Sequence, residues 1–194
     1  MPKISRSIVN LLSDTVTCPT IAMRQVIAAA DVGDDVFGAD PSVNRLEKVA
    51  AERLGKSAAL YVPSGTMSNL IAIGTHCRRG EEIICGDKAH IFLYEGAGAS
   101  AYMGVSLHTV ENQRDGTLDI KDVQNAIRAD DPHYPRTSLV TIENTQNTCG
   151  GRVLPQQFVR TLEQLCHKRN LRLHVDGARL ANASVASGIP MDEL

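Results

Sequence analysis

Short apolar runs of strand length, alternating with segments that carry apolar residues at helical spacing, constrain this chain more than any other feature. The runs are Ala58–Val62 (AALYV), Glu82–Cys85 (EIIC), Val105–Val110 (VSLHTV), Leu139–Ile142 (LVTI) and Leu171–Val175 (LRLHV). Several are apolar throughout rather than alternating, as strands covered on both faces are. The helical segments are Ser42–Leu54, where Val43, Leu46, Val49, Ala50 and Leu54 share one face, Met67–His76, Ile120–Arg128 and Pro155–Asn170, which opens with a proline near its first turn. Strand, helix, strand in succession predicts an α/β fold: a mostly parallel sheet flanked by helices. Ligands of such sheets collect at the carboxyl ends of the strands, so the polar residues just after each strand are the candidates for function.

A length of 194 residues suits one folding unit, and no repeat or Gly/Ser/Pro linker divides it. With 43% apolar and 22% charged residues, disordered and collagenous classes are excluded. A net charge of −2 gives no electrostatic reason to expect nucleic acid or an anionic membrane as partner, which leaves a small molecule or another protein. Five scattered cysteines without C-x-x-C spacing suggest neither a disulfide framework nor zinc, and fit a reducing compartment. No apolar run approaches the roughly 18 residues of a membrane span, and the first ten residues lack a secretory core. A cytoplasmic location is expected. Lys3 and Arg6 leave a mitochondrial presequence as the minor alternative.

Four places carry candidate chemistry. Pro63-Ser64-Gly65-Thr66 joins a strand-like run to a helix, where free N–H groups can bind a phosphate, or Ser64 or Thr66 can simply cap the helix. Asp176 follows LRLHV and precedes Gly177-Ala178-Arg179. The acid can pair with a protonated ring nitrogen and Arg179 can fork onto a carboxylate, or the two can form a structural ion pair. His90, after EIIC, can stack on a flat ring or act as acid or base; His133, before LVTI, has similar standing, and both can equally be hydrogen-bonded filler. His174, within a strand, reads as structural. Gly96–Ala101 matches the weak dinucleotide pattern G-x-G-x-x-A, against which stands a small-residue helix packed close to a neighbour.

Taken together, the motifs point to a family. Leu12-Ser13-Asp14-Thr15-Val16-Thr17, GDDVFGADPSVNRLE (Gly33–Glu47), VPSGTMSNL (Val62–Leu70), GDKAHIFLYE (Gly86–Glu95), IENTQNTCGGRVLP (Ile142–Pro155) and LHVDGARLANA (Leu173–Ala183) resemble, in order and spacing, the low-specificity L-threonine aldolases. These are pyridoxal 5'-phosphate enzymes of the aspartate-aminotransferase fold. The resemblance implies an amino-terminal arm followed by part of the large domain, with the small carboxyl-terminal domain absent. It implies Gly65 and Thr66 at the cofactor phosphate, Asp176 at the pyridinium nitrogen and His90 on the ring face. Arg179, with Ser13, is implied at the substrate carboxylate or the cofactor's phenolic oxygen, and His133 at the substrate side chain; His90 or His133 would be the catalytic base.

The implied reaction is cleavage of L-threonine or L-allo-threonine to glycine and acetaldehyde by a homodimer or homotetramer. The family also carries a cofactor lysine some twenty to thirty residues after the Asp176 motif, whereas the last lysine here is Lys168. The isolated chain is therefore expected to be inactive, either as a fragment of an active enzyme or as a dead partial subunit that associates with a longer form. A nucleotide-binding domain built on Gly96–Ala101 is the remaining alternative. Three departures from the family pattern bear on local contacts: Leu12 and Cys18 stand where arginine is common, and Gln146 where histidine is usual.

Overall fold

The computed structural model describes residues 9–194. Four strands, β1 (Glu82–Gly86), β2 (Ser106–Val110), β3 (Thr137–Glu143) and β4 (Arg172–Asp176), form one sheet in the order β2-β1-β3-β4, with every pairing parallel. Eight helices accompany them: α1 (Ile21–Ala28), α2 (Pro41–Arg53), α3 (Gly65–His76), α4 (His90–Leu93), α5 (Gly98–Ala101), α6 (Ile120–Ala126), α7 (Gln156–Lys168) and α8 (Leu180–Ser187). Every residue of β1 and β3 is buried, as the continuous apolar runs require of central strands.

Successive side chains along a strand point to opposite faces, and the two faces feed two cores. Ile83 and Cys85 of β1 and Leu139 of β3 pack with Ile73 of α3, Ile91 of α4 and Ala99 of α5. Ile84, Val140 and Ile142 pack on the other side with Val123 of α6 and Leu162 and Cys166 of α7. Leu162 is fully buried, which contributes about 1.5–3 kcal/mol relative to exposure. The loop entering α2 is closed by the buried Asp40, whose carboxylate accepts from the N–H groups of Ser42, Val43 and Gly33. These bonds, that from Val43 foremost, hold its carboxyl below the ordinary range.

The expected elements are found within one or two residues, with three corrections. Ala58–Val62 is not a strand: no strand pairs with it among the described residues, Leu60 and Tyr61 are more than half exposed, and the Tyr61 N–H goes to the Glu47 carboxylate. Leu180–Ser187, for which the sequence marked no element, is helix α8. Gly188 closes that helix in the left-handed conformation (φ 72°) and donates to the Ser184 carbonyl. Helix α6 stops at Ala126 rather than Arg128, because the Arg128 guanidinium forks onto the buried Glu82 at 3.0 and 3.2 Å and its N–H goes to Thr137. Residues 9–39 bury no side chain, and Ile21, Val26 and Ile27 of α1 stay exposed.

Candidate active site

Parallel pairing puts the ends of β1, β3 and β4 side by side, and the register sets Glu143 directly beside Asp176. Three chain segments converge on those ends. The Asp87-Lys88-Ala89 turn leads from β1 into His90; its geometry is fixed by Asn112, which accepts from the Lys88 N–H, and by Gln146, whose side chain donates to the Lys88 carbonyl at 3.0 Å. Gln146 thus anchors this loop, and its other amide atom accepts from the Cys149 N–H. Helix α3 arrives with its amino terminus. There Ser64 is the cap, accepting from the Met67 N–H at 3.2 Å, while nothing lies within 4 Å of where a Gly65 side chain would stand. Arg179 follows β4.

The cleft so formed, about 240 Å³, is lined by Gly65, Thr66, His90, Asp176 and Arg179, five of the residues singled out from sequence. Asn69, Glu95, Glu143, Thr145, Asn147 and Ala178 complete it; among the described residues, none of those lining it is a lysine. A larger cleft of about 620 Å³ shares Gly65, Asn69, Asp176 and Ala178 and runs on between α2 and α8. The smaller one gathers three carboxylates and an arginine around His90 at the strand ends and is the better candidate for chemistry.

Each charged side chain has a defined partner. The Asp176 carboxylate accepts from the Ala178 N–H (3.0 Å) and from the Asn69 amide (2.9 Å). His90 Nδ1 lies 2.8 Å from Glu95 Oε1, whose carboxylate also accepts from Asn69 at 2.7 Å. Glu143 accepts the backbone N–H groups of His90 and Asn147, and burial pushes its carboxyl above the ordinary range. Arg179 forks onto Asp14 of the amino-terminal turn Asp14–Val16 at 2.5 and 2.7 Å, and this ion pair holds the Asp14 carboxyl down at about 2.

Ser13 is brought to the same corner by its hydroxyl, which donates to Asp14. His133 is not brought in. It is exposed, bonds Asp131 at 2.7 Å, and precedes the amino end of β3, a strand about 20 Å long at roughly 3.3 Å per residue, so it lies at the opposite end of the sheet from Asp176. The structural alternative for Gly96–Ala101 prevails: helix α4, not a strand, precedes it, and a side chain on Gly98 would come within 3.0 Å of Leu70 on α3. Sequence reasoning missed Glu143, which its position at the end of a strand could have marked, and Asn69 and Glu95, for which no local signal exists.

The beta-eliminating lyase family model matches residues 10–194. Low-specificity L-threonine aldolase 1 of Arabidopsis thaliana is 48% identical over 191 residues, covering 96% of this chain and 53% of the relative. The low-specificity L-threonine aldolase of Escherichia coli K12 is 46% identical over 186 residues, covering 96% and 55%. Among solved structures, the threonine aldolase of Leishmania major superposes with a TM-score of 0.69 at 28% identity, covering 84% of this chain and 46% of that one. The chain spans about half the length of the curated relatives it matches. On the match across residues 10–194, it belongs to the beta-eliminating lyase family.

Proposed function

We propose that this chain forms the cofactor cradle of a pyridoxal-phosphate-dependent aldehyde-lyase that cleaves L-threonine or L-allo-threonine to glycine and acetaldehyde. The observation that carries the reading is the meeting, in one cleft, of the Asp176 carboxylate, the His90 imidazole and the open amino terminus of α3. The donor set fits the cofactor. A phosphate suits the N–H groups of Gly65 and Thr66, which the Ser64 cap leaves unused, and a protonated ring nitrogen suits a carboxylate. When bound, the cofactor supplies an electron sink for the pair released as the Cα–Cβ bond breaks.

The chain's own residues do the rest. Gly65 and Thr66 would hold the phosphate, Asp176 would accept the ring N–H, and His90 would cover the ring face. Glu95 fixes His90 through Nδ1, which leaves Nε2 to take the substrate hydroxyl proton. Arg179 receives the substrate carboxylate once its fork turns from Asp14. His90 is favoured over His133 as base because the latter lies outside the cleft.

Equilibrium dialysis of the chain against pyridoxal 5'-phosphate tests the cradle. Losing a charge-assisted hydrogen bond of about 1.5–3 kcal/mol, Asp176→Ala should bind roughly ten- to hundredfold more weakly. Equal binding by both proteins, or none by either, overturns the reading.

A further inference from the structure

We propose that Asn69, oriented by His174, is a positioning residue that holds the Asp176 and Glu95 carboxylates together, so that one side-chain amide sets both the ring-nitrogen contact and the His90 imidazole. The inference deepens the proposed function and rests on it. Asn69 lies one helical turn beyond Gly65 on α3, and His174 and Asp176, two apart on β4, share the strand face that meets it. Its Nδ2 donates to Glu95 Oε1 at 2.7 Å and to Asp176 Oδ2 at 2.9 Å. Its Oδ1 lies 3.0 Å from His174 Nε2.

The hydrogen-bond inventory allows one assignment. Two carboxylates can only accept, so both amide protons point at them and the amide oxygen faces His174. That oxygen must then receive a proton, which makes His174 the Nε2–H tautomer. Burial supports this, since it disfavours the charged imidazole and lowers the His174 pKa. Asn69 is buried and the Glu95 side chain is only 2% exposed, so water offers little substitute for the amide. Without Asn69, the two acids lose their shared donor while remaining within 4.8 Å of each other. Asp176 would keep only the Ala178 N–H, and Glu95 only His90.

The test compares binding of pyridoxal 5'-phosphate with that of its 1-deaza analogue, in which carbon replaces the ring nitrogen. The wild-type chain should prefer the natural cofactor. Asn69→Ala should weaken binding of the cofactor about tenfold more than that of the analogue, one hydrogen bond's worth, because both meet the His90 face and only the cofactor has the ring N–H. A merely structural defect weakens both alike, and that result overturns the role of Asn69 while leaving the wild-type preference intact. Absence of any wild-type preference overturns the Asp176 assignment itself.

Two measurements do not depend on that variant's folding. The ¹⁵N spectrum of histidine-labelled, cofactor-free chain should show His174 as the Nε2–H tautomer, and the Nδ1–H tautomer refutes the orientation. His174→Gln, which retains an N–H donor, should preserve the preference for the natural cofactor, whereas His174→Leu should reduce it. Identical behaviour of these two removes His174 from the device.

Discussion

Gly86→Ala is the substitution whose cost follows most directly from the geometry. Gly86 ends β1 immediately before the turn that delivers His90, and a methyl group there would stand 2.1 Å from Asn112 Oδ1, 2.7 Å from Cγ and 2.8 Å from Nδ2. The Asn112 amide must move by about an ångström to reach normal contact, well beyond the few tenths that a packed side chain yields. It is buried, and it serves the Lys88 N–H at 3.0 Å and the Gly116 carbonyl at 3.2 Å. Stranding those two groups costs about 1–3 kcal/mol each. The stiffer unfolded chain offsets about 0.4–1 kcal/mol, for a net loss of about 1–5.5 kcal/mol. Urea unfolding followed by circular dichroism measures it, and affinity for pyridoxal 5'-phosphate should fall in parallel as the turn shifts His90. Because the collision is with one side chain, Gly86→Ala in an Asn112→Ala background should add less than about 0.5 kcal/mol. A single variant within about 0.5 kcal/mol of wild type refutes the reasoning.

Two further outcomes concern charge. The Asp14 carboxyl, held at about 2 by the Arg179 fork, has a folded pKa below its ordinary 3.8, so the ion pair's contribution is complete above that value and is lost as pH falls toward 2. Carbon NMR of the carboxyl should titrate near 2 in the wild type and near the ordinary value in Arg179→Leu; unchanged midpoints discard the pairing. Glu143 is the opposite case: burial raises its folded pKa, so its neutral form suits the fold and its ionisation costs stability as pH rises. The melting temperature of Glu143→Gln relative to wild type should therefore climb between pH 4 and pH 7, and a difference independent of pH contradicts this.

Where a pattern encodes its own burial, it was legible in the residues. β1 and β3 read as strands because both faces are covered and their middles, Ile83–Cys85 and Leu139–Val140, are continuously apolar. Ala58–Val62 has the same local character, yet an apolar run does not name its hydrogen-bonding neighbour, and none is present among the described residues. Helix α8 is built from alanine and serine with little contrast between its faces, so periodicity could not mark it, although Gly188 supplied its stop. In the site, the rule that ligands gather at the carboxyl ends of strands found Asp176 and His90 directly and extends to Glu143. Glu95 was invisible because its reach back to His90 depends on the turns around α4, where Gly96 and Ala97 adopt left-handed conformations. Asn69 looks like a solvent-facing helix residue until β4 is packed against it.

The charge layout of the cleft argues for a ligand of particular polarity. Glu95 and Asp176 lie within 4.8 Å of each other, and Glu143 adjoins Asp176 through the strand register. At an effective dielectric of about 20, two carboxylates that close repel by roughly 3 kcal/mol. Arg179, the cation of the cleft, has its fork turned to Asp14 and does little to relieve this. A protonated ring nitrogen would offset the repulsion where it is greatest, while the α3 amino terminus, with Gly65 leaving space beside it, accommodates an anion at the other end. A ligand carrying only phosphate charge gains at the helix and loses at the acids. The cleft therefore suits a molecule that is cationic at one end and dianionic at the other, as a pyridoxal phosphate with a protonated ring is.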